Sequence, residues 1–219
     1  MILEATGLTF RYPRQRGGPV LEGAGMTLRT GERIGLSAPS GQGKTTLCRL
    51  LAGWEEPGGG QVRLDGIPIA KYRGFCPVQL LWQHPEGAVD PLLPLKKTLY
   101  EAGPVDREII DGLGIRESWL ERYPSELSGG ELQRICVARA LRPELRFLLC
   151  DEASAMLDLI TQAQLWRFLL DQAEKRGLGL LVVSHDSALL ERLCTKILAW
   201  EDVAQGRISA RTEKISKNC

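Results

Sequence analysis

The run Ser40-Gly41-Gln42-Gly43-Lys44-Thr45-Thr46 combines glycines, a lysine and hydroxyls in the order needed to hold a chain of phosphates. An apolar segment, Ile34-Gly35-Leu36, leads into it, and the helical pattern Thr46-Leu47-Cys48-Arg49-Leu50-Leu51 leaves it, so the run sits in a strand, loop and helix context. Glycine lets successive backbone N–H groups converge on phosphate oxygens, and the start of a helix adds the positive end of its dipole. In this motif Lys44 reaches the β- and γ-phosphates of a nucleotide such as ATP, and the Thr45 hydroxyl ligates Mg²⁺. One position departs from the G-x-x-x-x-G-K-[ST] pattern, because its first glycine is Ala38. If that position requires positive φ, the methyl group costs on the order of 1 kcal/mol. If it does not, the cost is negligible.

A second cluster lies downstream. Arg146-Phe147-Leu148-Leu149-Cys150 is a short apolar run of the kind that is buried on both faces of a sheet, and it ends in Asp151-Glu152. Adjacent acids at a strand end point in different directions. Asp151 is expected to hold Mg²⁺ and Glu152 to deprotonate the water that attacks the γ-phosphate. Between the two clusters, Leu127-Ser128-Gly129-Gly130-Glu131 precedes Leu132 to Leu141, whose apolar residues recur at helical spacing. Free amides and a hydroxyl at that helix start form another anion site.

These motifs, followed by Ser184-His185-Asp186, stand in an order that resembles the nucleotide-binding subunit of an ABC transporter. The resemblance implies an ATPase in which ATP held on one subunit's phosphate loop is capped by Ser128, Gly129 and Gly130 of another. It assigns His185, beyond the apolar strand Leu178–Val183, to the γ-phosphate. Gln83 becomes the glutamine that meets Mg²⁺ and the attacking water and opens the segment facing membrane subunits; Gln79 is the competing candidate. Asp158 falls at the seam between subunits, in a stretch where Ala153 stands in place of the usual proline. Tyr12 either stacks on adenine or packs in the core. The catalytic set is then Glu152, His185 and Gln83, with Thr45, Gln83 and Asp151 at the metal. The fifth signature residue is Glu131 where many family members have glutamine, a change expected to be tolerated.

The segments Leu132–Leu141, Asp151-Glu152-Ala153 and Leu190-Glu191-Arg192-Leu193-Cys194 narrow the resemblance to the nickel and peptide importer branch, nearer its shorter nickel-type subunits. Implied partners are a second, non-identical ATPase subunit, two transmembrane permease subunits and, indirectly, an extracytoplasmic substrate-binding protein. The cargo suggested first is nickel or a metal chelate, and second a short peptide. An identical mate, an exporter or a non-transport ABC protein are the alternatives.

Composition agrees. A chain of 219 residues with a formal net charge of +1 and scattered basic residues offers no case for nucleic-acid binding. Six cysteines without a close C-x-x-C pair, several in apolar runs, favour a reducing compartment over disulfides or zinc. No basic, apolar leader opens the sequence and no run approaches the roughly 20 residues that span a bilayer, so the expected location is the cytoplasmic face of a membrane, attached through the permeases. Sustained heptads are absent between Thr45 and Ser128, which excludes the coiled-coil chromosome ATPases.

The expected architecture is α/β: one P-loop NTPase domain over residues 1–219 with a mostly parallel sheet. An antiparallel β subdomain opens it, with strands Ile2–Phe10 and Val20–Leu28. A small helical subdomain over 84–140 has helices near Leu95–Ala102 and Arg107–Leu113. A closing strand near Gly206-Arg207-Ile208 and a polar tail, 209–219, end the chain.

Overall fold

Alternating burial along Ile2–Phe10 makes the first strand, β1, half-covered, as an antiparallel sheet with one wet face requires. In the computed structural model, which describes residues 1–13, 16–39 and 41–207, it pairs antiparallel with β2 (Leu21–Arg29) and with β4 (Gly59–Leu64). A short β5 (Ile67–Pro68) completes the order β2-β1-β4-β5.

The second sheet holds the continuous apolar runs. It comprises β3 (Arg33–Ser37), β6 (Val78–Leu81), β7 (Phe147–Asp151), β8 (Gly179–Val183) and β9 (Lys196–Ala199), in the order β6-β7-β8-β3-β9. Every pairing in it is parallel. All residues of β7 and β8 are buried, as expected for strands covered on both faces.

Helices connect the strands. α1 (Lys44–Leu51) follows β3; α2 (Leu95–Leu99), α3 (Arg107–Gly112), α4 (Glu117–Leu120) and α5 (Gly129–Ala140) lie between β6 and β7. α6 (Leu159–Arg176), α7 (Ser187–Leu193) and α8 (Trp200–Ala204) follow in the last third. The stretch 84–140 is thus helical, but in pieces shorter than the sequence pattern suggests. α2 stops at Leu99 rather than Ala102, with Tyr100 as its cap and Gly103 at φ 109 beyond it. The buried Arg142, just after α5, donates to the carbonyls of Ala102, Gly103 and Pro104, so this turn is held from outside.

Two hydrophobic clusters meet at the parallel sheet. One lies between it, α1 and the antiparallel sheet; the other packs α2 to α7 against the opposite face. The expected strand at Gly206-Arg207 is not formed. α8 ends there in a turn, with Gly206 at φ 62 and Arg207 N–H donating to Asp202, while Ile208 and the tail 209–219 lie outside the described residues. None of the described helices is long and apolar enough to cross a membrane. The five described cysteines, Cys48, Cys76, Cys136, Cys150 and Cys194, are free thiols.

Candidate active site

In a parallel sheet all strand ends of one sense share an edge, so strand order decides which loops become neighbours. Reading across from β6, the residues beyond the carboxyl ends are Gln83, then Asp151 and Glu152, then His185, then the phosphate loop. Four segments far apart in sequence are brought together by this order alone.

The loop between β3 and α1 turns through Gly41 at φ 81 and Gly43 at φ 97, conformations strained for other residues. Gly43 is the N-cap of α1, and Val20 comes within 3.0 Å of where a Cβ would stand. Ala38 is buried and is not among the positive-φ residues, so its methyl group carries no backbone penalty. Lys44 is only 5% exposed. Its ammonium donates to the carbonyls of Ala38 and Pro39, each at 2.7 Å, and so arches back over the loop that precedes it. Ser40 lies outside the described residues.

A cavity of about 390 Å³ is lined by Val20, Gly41, Gly43, Lys44, Thr45, Thr46, Gln83, Asp151 and Glu152. The Thr45 hydroxyl and the Asp151 carboxylate both face this cavity. Burial pushes the Asp151 carboxyl above its usual range; the Thr45 hydroxyl and the charges of Lys44 and Arg49 oppose this, and Glu152 adds to it. An oxygen-rich pocket with a buried, incompletely neutralised carboxylate fits a hard divalent cation. Gln42 is exposed beside this cavity. Gln79 is taken up within β6, where its amide donates to the Cys76 carbonyl, whereas Gln83 faces the cavity.

Glu152 is held in a left-handed conformation, φ 49, one of two non-glycine residues so placed among those described. Its N–H donates to the Val183 carbonyl at the end of β8. That turn brings the carboxylate to 3.4 Å from Nδ1 of His185, whose side chain is 66% exposed against 15% for Glu152. Both residues line a second cavity of about 210 Å³, together with Ser154 and Trp166. There the Ser154 hydroxyl accepts hydrogen bonds from Trp166 Nε1 and Gln162 Nε2, both at 2.9 Å, which pins the turn after Glu152 to α6.

Tyr12 is tied inward: its ring meets Phe10 edge-on at 4.8 Å and its hydroxyl lies 3.2 Å from Thr46 Oγ1. Ser128, Gly129 and Gly130 line neither cavity. Ser128 is the N-cap of α5, exposed along with Gly129, and forms a reciprocal capping box with Glu131. Glu131 accepts from the Ser128 N–H at 2.9 Å, which holds its carboxyl below the usual range. The Ser-x-x-Glu spacing was the sequence signal for this role, so Glu131 does more than occupy a tolerant position. Asp158 caps α6 by accepting from the N–H groups of Ile160 and Thr161. Around it Met156, Leu159 and Ile160 are exposed apolar side chains.

A glycine-lined phosphate loop and an acid pair on one edge of a parallel sheet define a P-loop ATPase. The ABC transporter family profile matches residues 21–155. The nickel import ATP-binding protein NikE of Rhodospirillum rubrum is 37% identical over 201 aligned residues, covering 84% of this chain and 73% of that protein. The protein of the same name from Escherichia coli strain K12 is 34% identical over 227 residues, covering 92% and 84%. A solved dimeric ATP-binding cassette in a post-hydrolysis state with ADP and Pi has the same fold, with a TM-score of 0.80 at 22% identity over 99% of this chain and 100% of that one. The chain belongs to the ABC transporter family, as one of its ATPase cassettes.

Proposed function

We propose that this chain is the ATP-hydrolysing subunit of an ABC importer, energising uptake of nickel or a metal chelate, with short peptides as the second cargo. The observation that carries the ATPase mechanism is the convergence of Lys44, Thr45, Gln83, Asp151 and Glu152 on one cavity. Import and nickel rest on the nickel import relatives, which match most of the chain.

In this reading the amides of the Gly41–Gly43 turn and the N-terminus of α1 bind the phosphates, and Lys44 exchanges its two carbonyl partners for phosphate oxygens. Thr45, Asp151 and Gln83 would hold Mg²⁺, which supplies charge neutralisation at the β- and γ-phosphates. Glu152 takes the proton of the attacking water, and its left-handed backbone aims it into the cavity. His185 holds the Glu152 carboxylate from the solvent side. Tyr12 braces Thr46 and borders the nucleotide.

Ser128, Gly129 and Gly130 have no place in that cavity, so the helix start they form, with Ser128 and Gly129 exposed, serves the ATP of a second cassette. The apolar surface of Met156, Leu159 and Ile160 beside Asp158 suits the same seam, with a non-identical mate. Residues 84–140 form the helical subdomain that meets the permeases, which places the chain on the cytoplasmic face of the membrane. Deleting the gene tests the cargo: nickel accumulation should fall while labelled dipeptide uptake persists. Unchanged nickel with lost peptide uptake would move the assignment to peptides, and loss of neither would refute both.

A further inference from the structure

Three residues outside the cavity meet at the position just before Gln83. Arg49, on α1, sets its guanidinium over the Trp82 ring at 4.7 Å from the ring centroid and donates to the Tyr12 hydroxyl at 3.3 Å. Gln133, on α5 and 1% exposed, donates from Nε2 to the Trp82 carbonyl at 3.3 Å. Trp54 also meets the Trp82 ring edge-on, with centroids 5.3 Å apart. Trp82 is therefore held through its ring by the helix that starts at the phosphate loop and through its backbone by the helix that starts at Ser128.

The polar bookkeeping at this junction is incomplete. Among the described residues five buried side-chain atoms lack a hydrogen-bond partner, and three of them are Arg49 Nε, Trp82 Nε1 and Gln133 Oε1. A leucine of similar size at position 133 would avoid the unpaired Oε1, so stability alone gives a weak reason for glutamine there. The one bond Gln133 does make fixes the peptide that carries Gln83.

We infer that Arg49, Trp82 and Gln133 form a positioning clamp that sets Gln83 against the acid pair and makes its placement depend on α1 and α5 together. This rests on the reading of Gln83 as a participant in hydrolysis. Arg49 also lends positive charge to Asp151, so the informative change on α1 is Arg49→Lys, which keeps the charge and gives up the planar stacking and the fork that reaches Tyr12.

The test reads affinity for a fluorescent ATP analogue and thermal unfolding on the whole purified chain, and single-turnover hydrolysis on the assembled complex. Gln133→Leu and Arg49→Lys should each hydrolyse about fivefold or more slowly than wild type, with nucleotide affinity within about twofold. Because both act through Trp82, the double variant should be no slower than the slower single one, a non-additivity expected of residues sharing a partner. Gln83→Ala is the comparator. If it is slowed and Gln133→Leu is not, the clamp is overturned and the reading of Gln83 stands. Single effects that multiply in the double variant also overturn the clamp. If Gln83→Ala hydrolyses normally, the role of Gln83 falls and the clamp with it. Should Gln133→Leu unfold early, Gln133→Met carries the same expectation, since it too removes the donor.

Discussion

Replacing Glu152 with glutamine isolates its proposed role in proton abstraction from everything else this residue does. Glutamine has nearly the same volume, and its backbone can adopt the same left-handed turn, φ 49, so the N–H bond to Val183 survives. The strain of that turn, about 1–2 kcal/mol for a non-glycine residue, is common to both proteins and cancels. The contact with His185 at 3.4 Å is altered, but that histidine side chain is 66% exposed, and even charged pairs open to solvent contribute about 0.2–1 kcal/mol at most. Folding should therefore be barely altered. A general base contributes about 10²–10⁴ in rate, which is about 3–5 kcal/mol of barrier, so the catalytic loss far exceeds the structural one. Phosphate release by the assembled complex should fall about 100-fold or more, with ATP affinity and melting temperature close to wild type. Near wild-type turnover would remove Glu152 as the base, and a large drop in melting temperature would show that the cancellation fails.

Two further outcomes follow from the carboxyl groups. Asp151 has a raised pKa through burial, so its ionisation costs the folded state nothing below the ordinary aspartate range and its full cost once pH exceeds the raised value. Asp151→Asn should then raise the melting temperature of the nucleotide-free chain at pH about 7.5, abolish turnover, and lose its stabilising advantage as pH falls below about 4; an unchanged or lower melting temperature at pH about 7.5 would contradict this. Glu131 has a lowered pKa, chiefly from the Ser128 N–H, so its stabilisation is complete above the usual glutamate value of about 4.3 and disappears as pH drops through the depressed one. Urea unfolding of wild type and Glu131→Gln should converge in that acid window, and a pH-independent gap would exclude the capping charge.

The strands that carry the site were legible because burial on both faces demands unbroken apolar runs, as in Phe147–Cys150 and Leu180–Val183. β4 was not, since Gly58-Gly59-Gly60 reads as a turn. Yet Gly60 sits at φ 76, with the Gly7 carbonyl oxygen 2.3 Å from where a Cβ would be, so glycine there permits close pairing with β1. Helix α8 was missed for lack of periodicity in so short a piece, and a strand was expected beyond it. The phosphate loop and the acid pair were readable from local context, because strand order does the rest. Contacts such as Arg49 with Trp82 and Gln133 with the Trp82 carbonyl join segments distant in sequence and leave no pattern in any of them.

The central claim is that the chain carries two half-sites, a cavity at Lys44 and an exposed anion site at Ser128, that ATP joins across two cassettes. The most direct measurement compares equilibrium nucleotide affinity with turnover in Ser128→Arg and Lys44→Ala. Lys44→Ala should lose affinity in the isolated chain, whereas Ser128→Arg should bind the fluorescent ATP analogue as wild type does and yet fail to turn over in the assembled complex. Loss of affinity in the isolated Ser128→Arg chain would place both motifs in one site and contradict the account.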